Sequence, residues 1–394
     1  EDKPIYVPSG RTIVETTHRY LCPDFSVTTI DRLGSSPTES VRAAQIALDD
    51  FFNREQFLSK FNGAKRFSLI QGDWIWHITA DPNKPLGSRL SIQALDPSMY
   101  WPVTAEDDIN KIIAVHLVEL VDREGASRIH RQTYKKVPQS DGTNRITVSE
   151  GIFETDKWFE LDSIPVEPWI RQEEQLPDSI MTIPVYHIKN FDEPGNPFGS
   201  SELRGLERLM IALNQTLSDE ELTLALDGIG MYAPDAPQPL DPTSNQPIPW
   251  RLGPGRVVHH PEGTSWNRVS GVNSMGPYGE HYERVWEALK QSSNTPDIAI
   301  GMVDVTAAES GVALALKLSP MISKVKEKAQ IVLDIHTNLF FDLLNMWYPA
   351  YEETTFENVT VRCVAGSALP VNREERFSEL NAMLEGGVID TQYY

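Results

Sequence analysis

From 310 to about 347 the chain reads as one helix of about 38 residues, about 57 Å long at 1.5 Å per residue. A helix of about 20 residues already spans a small domain, so this run sets the scale of the whole fold. Pro320 sits inside it and removes the bond to Leu316, which predicts a kink. Lys317, Lys324, Lys326 and Lys328 follow along its length.

Before it comes an excursion of a different texture. Residues 200–227 predict a helix with Leu203, Leu206, Met210, Leu213, Leu217 and Leu224 on one stripe, capped by Ser200 or Ser201 and ended by Gly228. Glu202, Glu207, Asp219, Glu220, Glu221 and Asp227 outnumber Arg204 and Arg208, for a net charge of −4. The next 48 residues, 229–276, hold eight prolines and six glycines, which leave room only for short strands such as 257–259. A disordered linker is one reading; Trp250 and Trp266 favour a small β-rich lobe. A second helix is expected over 278–291, and 300–309 has small side chains and no helical period. A helix that leads into a lobe and back projects from its body and needs neighbours for its apolar stripe.

The first 190 or so residues predict an α+β block with an antiparallel sheet. A helix is expected over 37–61, then a hairpin in which Phe67 and Leu69 face Trp74, Trp76 and Ile78 across a Gln71-Gly72-Asp73 turn. Strands follow at 90–94, 112–120, 127–137, 145–149, 157–161 and 181–188, and a turn-rich loop occupies 190–199. After the long helix, a strand is expected at 359–364 and a helix at 372–385, closed by Gly386-Gly387. No repeat of 20 to 50 residues is present.

Little in the chain speaks for catalysis. It lacks the GxxxxGK[ST], GxGxxG, GxSxG and HExxH patterns. Two cysteines, Cys22 and Cys363, exclude a disulfide framework and a paired-cysteine zinc site. His259-His260 would point to opposite faces of a strand, which suits no single metal. Asp49-Asp50 and Asp107-Asp108 read as solvated surface, although a two-metal nuclease would use such doublets. The nine tryptophans read as core and interface anchors. No enzyme, cofactor or metal is expected. No apolar run is long enough to span a bilayer, and Glu1-Asp2 does not open a signal peptide. With 35 basic against 56 acidic residues, the net charge of −21 argues against gripping nucleic acid, but not against touching it.

Three stretches resemble tailed-bacteriophage portal proteins. One runs from Pro184-Val185-Tyr186-His187-Ile188 through Gly199-Ser200-Ser201-Glu202-Leu203 to Leu213-Asn214-Gln215-Thr216-Leu217-Ser218-Asp219-Glu220. The second is Ser310-Gly311-Val312-Ala313-Leu314-Ala315-Leu316-Lys317, and the third is Leu384-Glu385-Gly386-Gly387-Val388-Ile389-Asp390. The resemblance covers about residues 60–394. It implies a portal-type fold: a mixed wing (1–199), a stem helix (200–228), a β-rich clip (229–276), a second stem helix (277–299), a tunnel loop (300–309), a long kinked helix (310–348) and a C-terminal wing segment (349–394) with a short or absent crown.

The function it implies is a homo-oligomeric ring, in that family of twelve copies, at one capsid vertex of the virion, assembled in the host cytoplasm. Double-stranded DNA passes through the channel; the terminase large subunit, a head-to-tail adaptor and the major capsid and scaffold proteins are the implied partners. The implied tunnel loop is Met302, Val303, Asp304, Val305, Thr306, Ala307, Ala308 and Glu309. Glu202, Glu207, Asp219, Glu220, Glu221 and Asp227 become candidates for the channel wall. Lys317, Lys324 and Lys328 become candidates for DNA contact, although pairing with Glu327 and neighbouring subunits, or solvent exposure, is the favoured reading of the lysines on this helix. Gln238, Asn245, Trp250, Arg251 and Trp266 become candidates for partner binding at the clip. An acidic wall suits a conduit, because each Lys or Arg on a phosphate would be a stopping point. The alternative is a metal-dependent phage enzyme acting on DNA through a carboxylate pair; a smaller head-to-tail adaptor is a third reading.

Overall fold

The computed structural model describes residues 4–34, 38–109, 111–123, 125–139, 142–229, 231–235, 238, 240–248, 263, 265–269, 276–302 and 311–367. The chain divides into two compact units, a larger one of Gly10–Arg204 with Ser293–Tyr394 and a smaller one of Glu1–Ser9 with Gly205–Ser292.

The larger unit begins with α1 (Ser9–Tyr20) and β1 (Ser26–Asp31). In α2 (Glu39–Glu55) the Thr38 hydroxyl accepts the Val41 N–H and Val41, Ala44, Leu48 and Phe51 turn inward. The single helix expected over 37–61 is in fact two: Gln56 takes a left-handed conformation at φ 50°, and α3 (Phe57–Gln71) continues beyond it. α3 also displaces the first arm of the expected hairpin. Phe67 and Leu69 alternate, but the three-to-four spacing of Phe57, Phe61, Lys65, Ser68 and Leu69 decides the matter and leaves Phe67 exposed.

After Gly72, β2 (Asp73–Ala80) pairs antiparallel with β3 (Leu90–Leu95). β4 (Tyr100–Thr104), β5 (Ile112–Arg123), β6 (Ala126–Pro138), β7 (Asn144–Phe153) and β8 (Arg171–Gln175) form a five-stranded antiparallel sheet in that order. The strand expected at 157–161 is absent. There the carbonyls of Trp158 and Glu160 accept the Arg131 guanidinium and that of Phe159 bonds the His116 ring, so side chains take the place of a ladder. β9 (Val185–Lys189) starts later than expected and pairs with the free edge of β2.

The smaller unit contains α4 (Glu207–Ile229), β10 (Met231–Pro234), β11 (Trp266–Val269) and α5 (Gly276–Ser292). β10 and β11 pair antiparallel from Met231 opposite Val269 to Pro234 opposite Trp266. A bridge between Leu240 and Pro247 closes a turn around Asp241, whose carboxylate accepts the Thr243 N–H. The strand expected at 257–259 lies outside the described residues.

In the larger unit, α6 (Gly311–Asp342) passes through Pro320 and continues over Leu343–Glu352 as a π-helix. Pro349, with no N–H to give and a ring that crowds the carbonyl four residues back, lies within this wider winding. β12 (Val359–Val364) pairs antiparallel with β1. The helix expected at 372–385 lies outside the described residues.

One aromatic cluster ties these elements together. The His336 ring of α6 lies 5.1 to 5.3 Å from Phe25, Phe61 and Trp74. Its Nε2 accepts the Trp76 indole N–H at 2.9 Å while its Nδ1 donates to the Val332 carbonyl. Burial holds this imidazole neutral, with its pKa pushed down to about 4. Trp74, Trp76 and Trp347 are core residues, as expected of them.

Candidate functional site

Two glycines far apart in sequence determine the geometry of the site. Gly72 turns the chain from α3 into β2 at φ 99°. A Cβ there would lie 2.7 Å from the Gly199 carbonyl oxygen, and a Cβ on Gly199 would fall closer still to the Gly72 oxygen. Only bare backbone allows this crossing. It is fastened by the Asn190 N–H on the Gly72 carbonyl (2.8 Å) and the Gly199 N–H on the Asp73 carboxylate (2.7 Å). His187 holds the same carboxylate at 2.6 Å.

Residues 200–204 then cap the end of α3 instead of starting a helix. The Glu202 N–H donates to the Leu69 carbonyl at 2.8 Å. Ser200 donates to Glu193, which Arg204 also holds, and the Ser201 hydroxyl accepts the Leu203 N–H. With both serines engaged, the helix expected from 200 begins at Glu207.

Glu202 is thereby carried into the interior, where it meets α6. Its carboxylate accepts Lys324 Nζ at 2.7 Å and Lys328 Nζ at 2.5 Å. Lys328 also donates to the Asn190 side chain (2.6 Å) and lies 3.5 Å from the centre of the Phe191 ring. Lys324 also donates to Thr17 and to the Ser293 carbonyl at 2.7 Å. Burial would raise the Glu202 carboxyl, but the two ammonium groups outweigh it and hold it below the ordinary 4.5. Burial pulls Lys328 down to about 8, against the attraction of Glu202.

Glu202, a channel-wall candidate, and Lys324 and Lys328, candidates for DNA contact, are thus placed inside the larger unit and paired with one another. What the cluster does is mechanical. The chain leaves the larger unit after Arg204 and returns at Ser293. Glu202 and the Ser293 carbonyl, one on each side of that excursion, are both bonded to Lys324.

Within the smaller unit, Asn214 and Ser218 stand one helical turn apart on α4. They hold the N-terminal segment through the Val7 N–H (2.8 Å) and the Ile5 N–H (2.9 Å). Glu207, Asp219 and Glu221 are exposed and Glu220 is half-buried. Asp227 lies in α4, its side chain outside the described residues. Ile211, Leu222 and Leu224 are exposed on the same helix. The α4–α5 pair is joined by the hydroxyls of Thr223 and Tyr278 at 3.2 Å.

Of the remaining candidates, Lys317 is exposed on α6, and Met302 is exposed after a left-handed Gly301. Val303, Asp304, Val305, Thr306, Ala307, Ala308 and Glu309 lie outside the described residues, as do Trp250 and Arg251. Gln238 and Asn245 are exposed, and Trp266 opens β11. Asp49, Asp50, Asp107 and Asp108 are all on the surface. Among the described residues no three His, Cys, Asp or Glu side chains gather to hold a metal ion, and no helix is long and apolar enough to cross a membrane. Asn190, Thr17, Gly72 and Asp73 were not legible as site residues: their partners stand more than 100 positions away.

No family model and no curated protein matches the chain. Solved structures do. A chain in the neck of an empty gene transfer agent particle, solved with C6 symmetry, aligns with a TM-score of 0.50 at 13% identity, over 98% of this chain and 88% of its own. A chain in the virion of the native gene transfer agent particle aligns at 0.49 and 12% identity, over 98% and 88%. A chain in the native particle's neck, solved with C12 symmetry, aligns at 0.47 and 12%, over 99% and 93%. The chain therefore has the α+β fold of a particle-neck chain along almost its whole length.

Proposed function

We propose that this chain is a portal-type subunit, a non-catalytic ring component at the head–tail junction of a phage-like particle, enclosing a channel for double-stranded DNA. The observation that carries the reading is the fold shared with a gene transfer agent neck chain over 98% of the sequence. That neck was solved with C6 symmetry, with which a ring of twelve is compatible.

The residues agree with it. The Gly199-to-Leu203 motif builds the Glu202 clamp, which fastens both ends of the excursion to α6. α4 exposes Ile211, Leu222 and Leu224 in a single copy, as a helix does that is to be covered by neighbours. Glu207, Asp219 and Glu221 supply an acidic surface on which a polyanion slides without sticking. Residues 302–309 are the tunnel loop in this reading. The lobe between α4 and α5 is the clip, where terminase and then a head-to-tail adaptor dock, and capsid and scaffold proteins surround the ring in the virion.

Mass photometry of the purified chain tests the assembly: twelve copies of 44.3 kDa give a species near about 530 kDa. A strict monomer at micromolar concentration, with no rings in micrographs, would overturn it. In a packaging assay, Val303→Lys is expected to leave the ring intact and stall DNA; unchanged packaging would remove residue 303 from the channel.

A further inference from the structure

A pocket of about 370 Å³ lies within the larger unit, at the small end of the range of about 300–1,000 Å³ that ligand sites occupy. β4, β5, β6, β9 and α6 all contribute to its wall, and every lining residue belongs to the larger unit. Ile112, Val115, Ile183, Val185 and Ile335 make much of that wall apolar.

Two groups of opposite charge stand in it, and neither has a counter-ion. Lys136 of β6 is half-buried and has no hydrogen-bond or ion-pair partner among the described residues. Burial pulls its pKa below the ordinary 10.5. Asp342, the last residue of α6, is 7% exposed. Tyr186 and Thr182 donate their hydroxyls to its Oδ2 at 2.8 and 2.9 Å, while its Oδ1 accepts nothing among the described residues. Burial outweighs those two bonds and raises the carboxyl above the ordinary 3.8. Lys136 and Asp342 do not pair with each other. The other charged groups of the wall are already engaged, Lys189 by Asp192 and the Asn196 carbonyl and His187 by Asp73.

A desolvated charge without a partner costs free energy, so the pocket favours a guest that supplies both missing signs at once. A simple anion would leave Asp342 unanswered, and a simple cation would leave Lys136 so. We propose that this pocket binds a small zwitterion, an amine and a carboxylate joined by a short apolar body, with the ammonium on Asp342 Oδ1 and the carboxylate on Lys136. Asn338, one helical turn before Asp342 in the same wall, offers its amide to any further polar group.

Titration calorimetry of the full chain at neutral pH tests the site, with glycine, γ-aminobutyrate and ε-aminocaproate as probes. At least one of the three is expected to bind. The alkylamine and the alkanoate of the same length, each lacking one charge, are expected to bind more weakly by about tenfold or more, the loss of one charged hydrogen bond. Lys136→Met and Asp342→Asn are each expected to weaken the bound probe by a similar factor with unchanged far-UV circular dichroism. Lys136 has no partner to lose, so Lys136→Met decides alone if Asp342→Asn does not fold. Binding of none of the three probes overturns the proposal. So does an affinity that Lys136→Met leaves unchanged, or a singly charged analogue that binds as tightly as the zwitterion.

Discussion

The two units differ in how they use charge. In the larger unit, Glu202, Lys324 and Lys328 are desolvated together and His77, His116 and His336 are buried neutral. In the smaller unit, Glu207, Asp219 and Glu221 of α4 face water and so do Ile211, Leu222 and Leu224. The first arrangement is complete in one copy. The second leaves those carboxylates in water, whereas exposed apolar side chains occur in both units, Leu33, Phe67 and Ile164 among those of the larger one.

The comparison breaks most sharply at Glu202. Glu202→Ala leaves two buried ammonium groups without their counter-ion and is expected to cost about 3–5 kcal/mol in chemical unfolding of the larger unit. A loss below about 1 kcal/mol would mean the clamp is solvated and the contrast between the units is false.

Acid gives the next effect. The three buried histidines titrate near about 4 when folded and at an ordinary 6.5 when unfolded, so the unfolded chain binds more protons between those values. Their contribution is complete above pH 6.5 and drains away as pH falls toward 4, by about 3 kcal/mol for His336 alone. Glu202, held below 4.5, adds a further loss beneath that value. His281 of the smaller unit is exposed. Hydrogen exchange from pH 7 to 4.5 is therefore expected to open the larger unit's core while the α4–α5 pair holds.

The smallest effect on stability sharpens the contrast from the other side. Leu222→Lys and Leu224→Lys replace exposed side chains, so the monomer's melting free energy is expected to move by about 0.5 kcal/mol or less. Ring formation in mass photometry is expected to be lost. Unimpaired rings would show that these exposed α4 side chains are not at an interface.

Much of the fold was legible because its signals are local. The spacing of Val41, Ala44 and Leu48 gives α2, alternation between turns gives β5, β6 and β7 but neither β4 nor β8, and the helical period of α6 survives Pro320. The errors arose where distant residues decide. Ser200 and Ser201 have the chemistry of helix caps, but Glu193 and the end of α3 claim them. Glu202 looks like a surface acid until α6 brings two lysines from more than 120 positions away. Residues 157–161 have a strand's composition, and Arg131 and His116 take their carbonyls instead.

The double crossing of glycines also limits how the chain can vary. Because neither Gly72 nor Gly199 has room for even a methyl group, a substitution at one cannot be rescued by shrinking the other. Two positions that never meet in sequence are bound to a shared fate, and adaptation of the excursion must come from the residues beyond it.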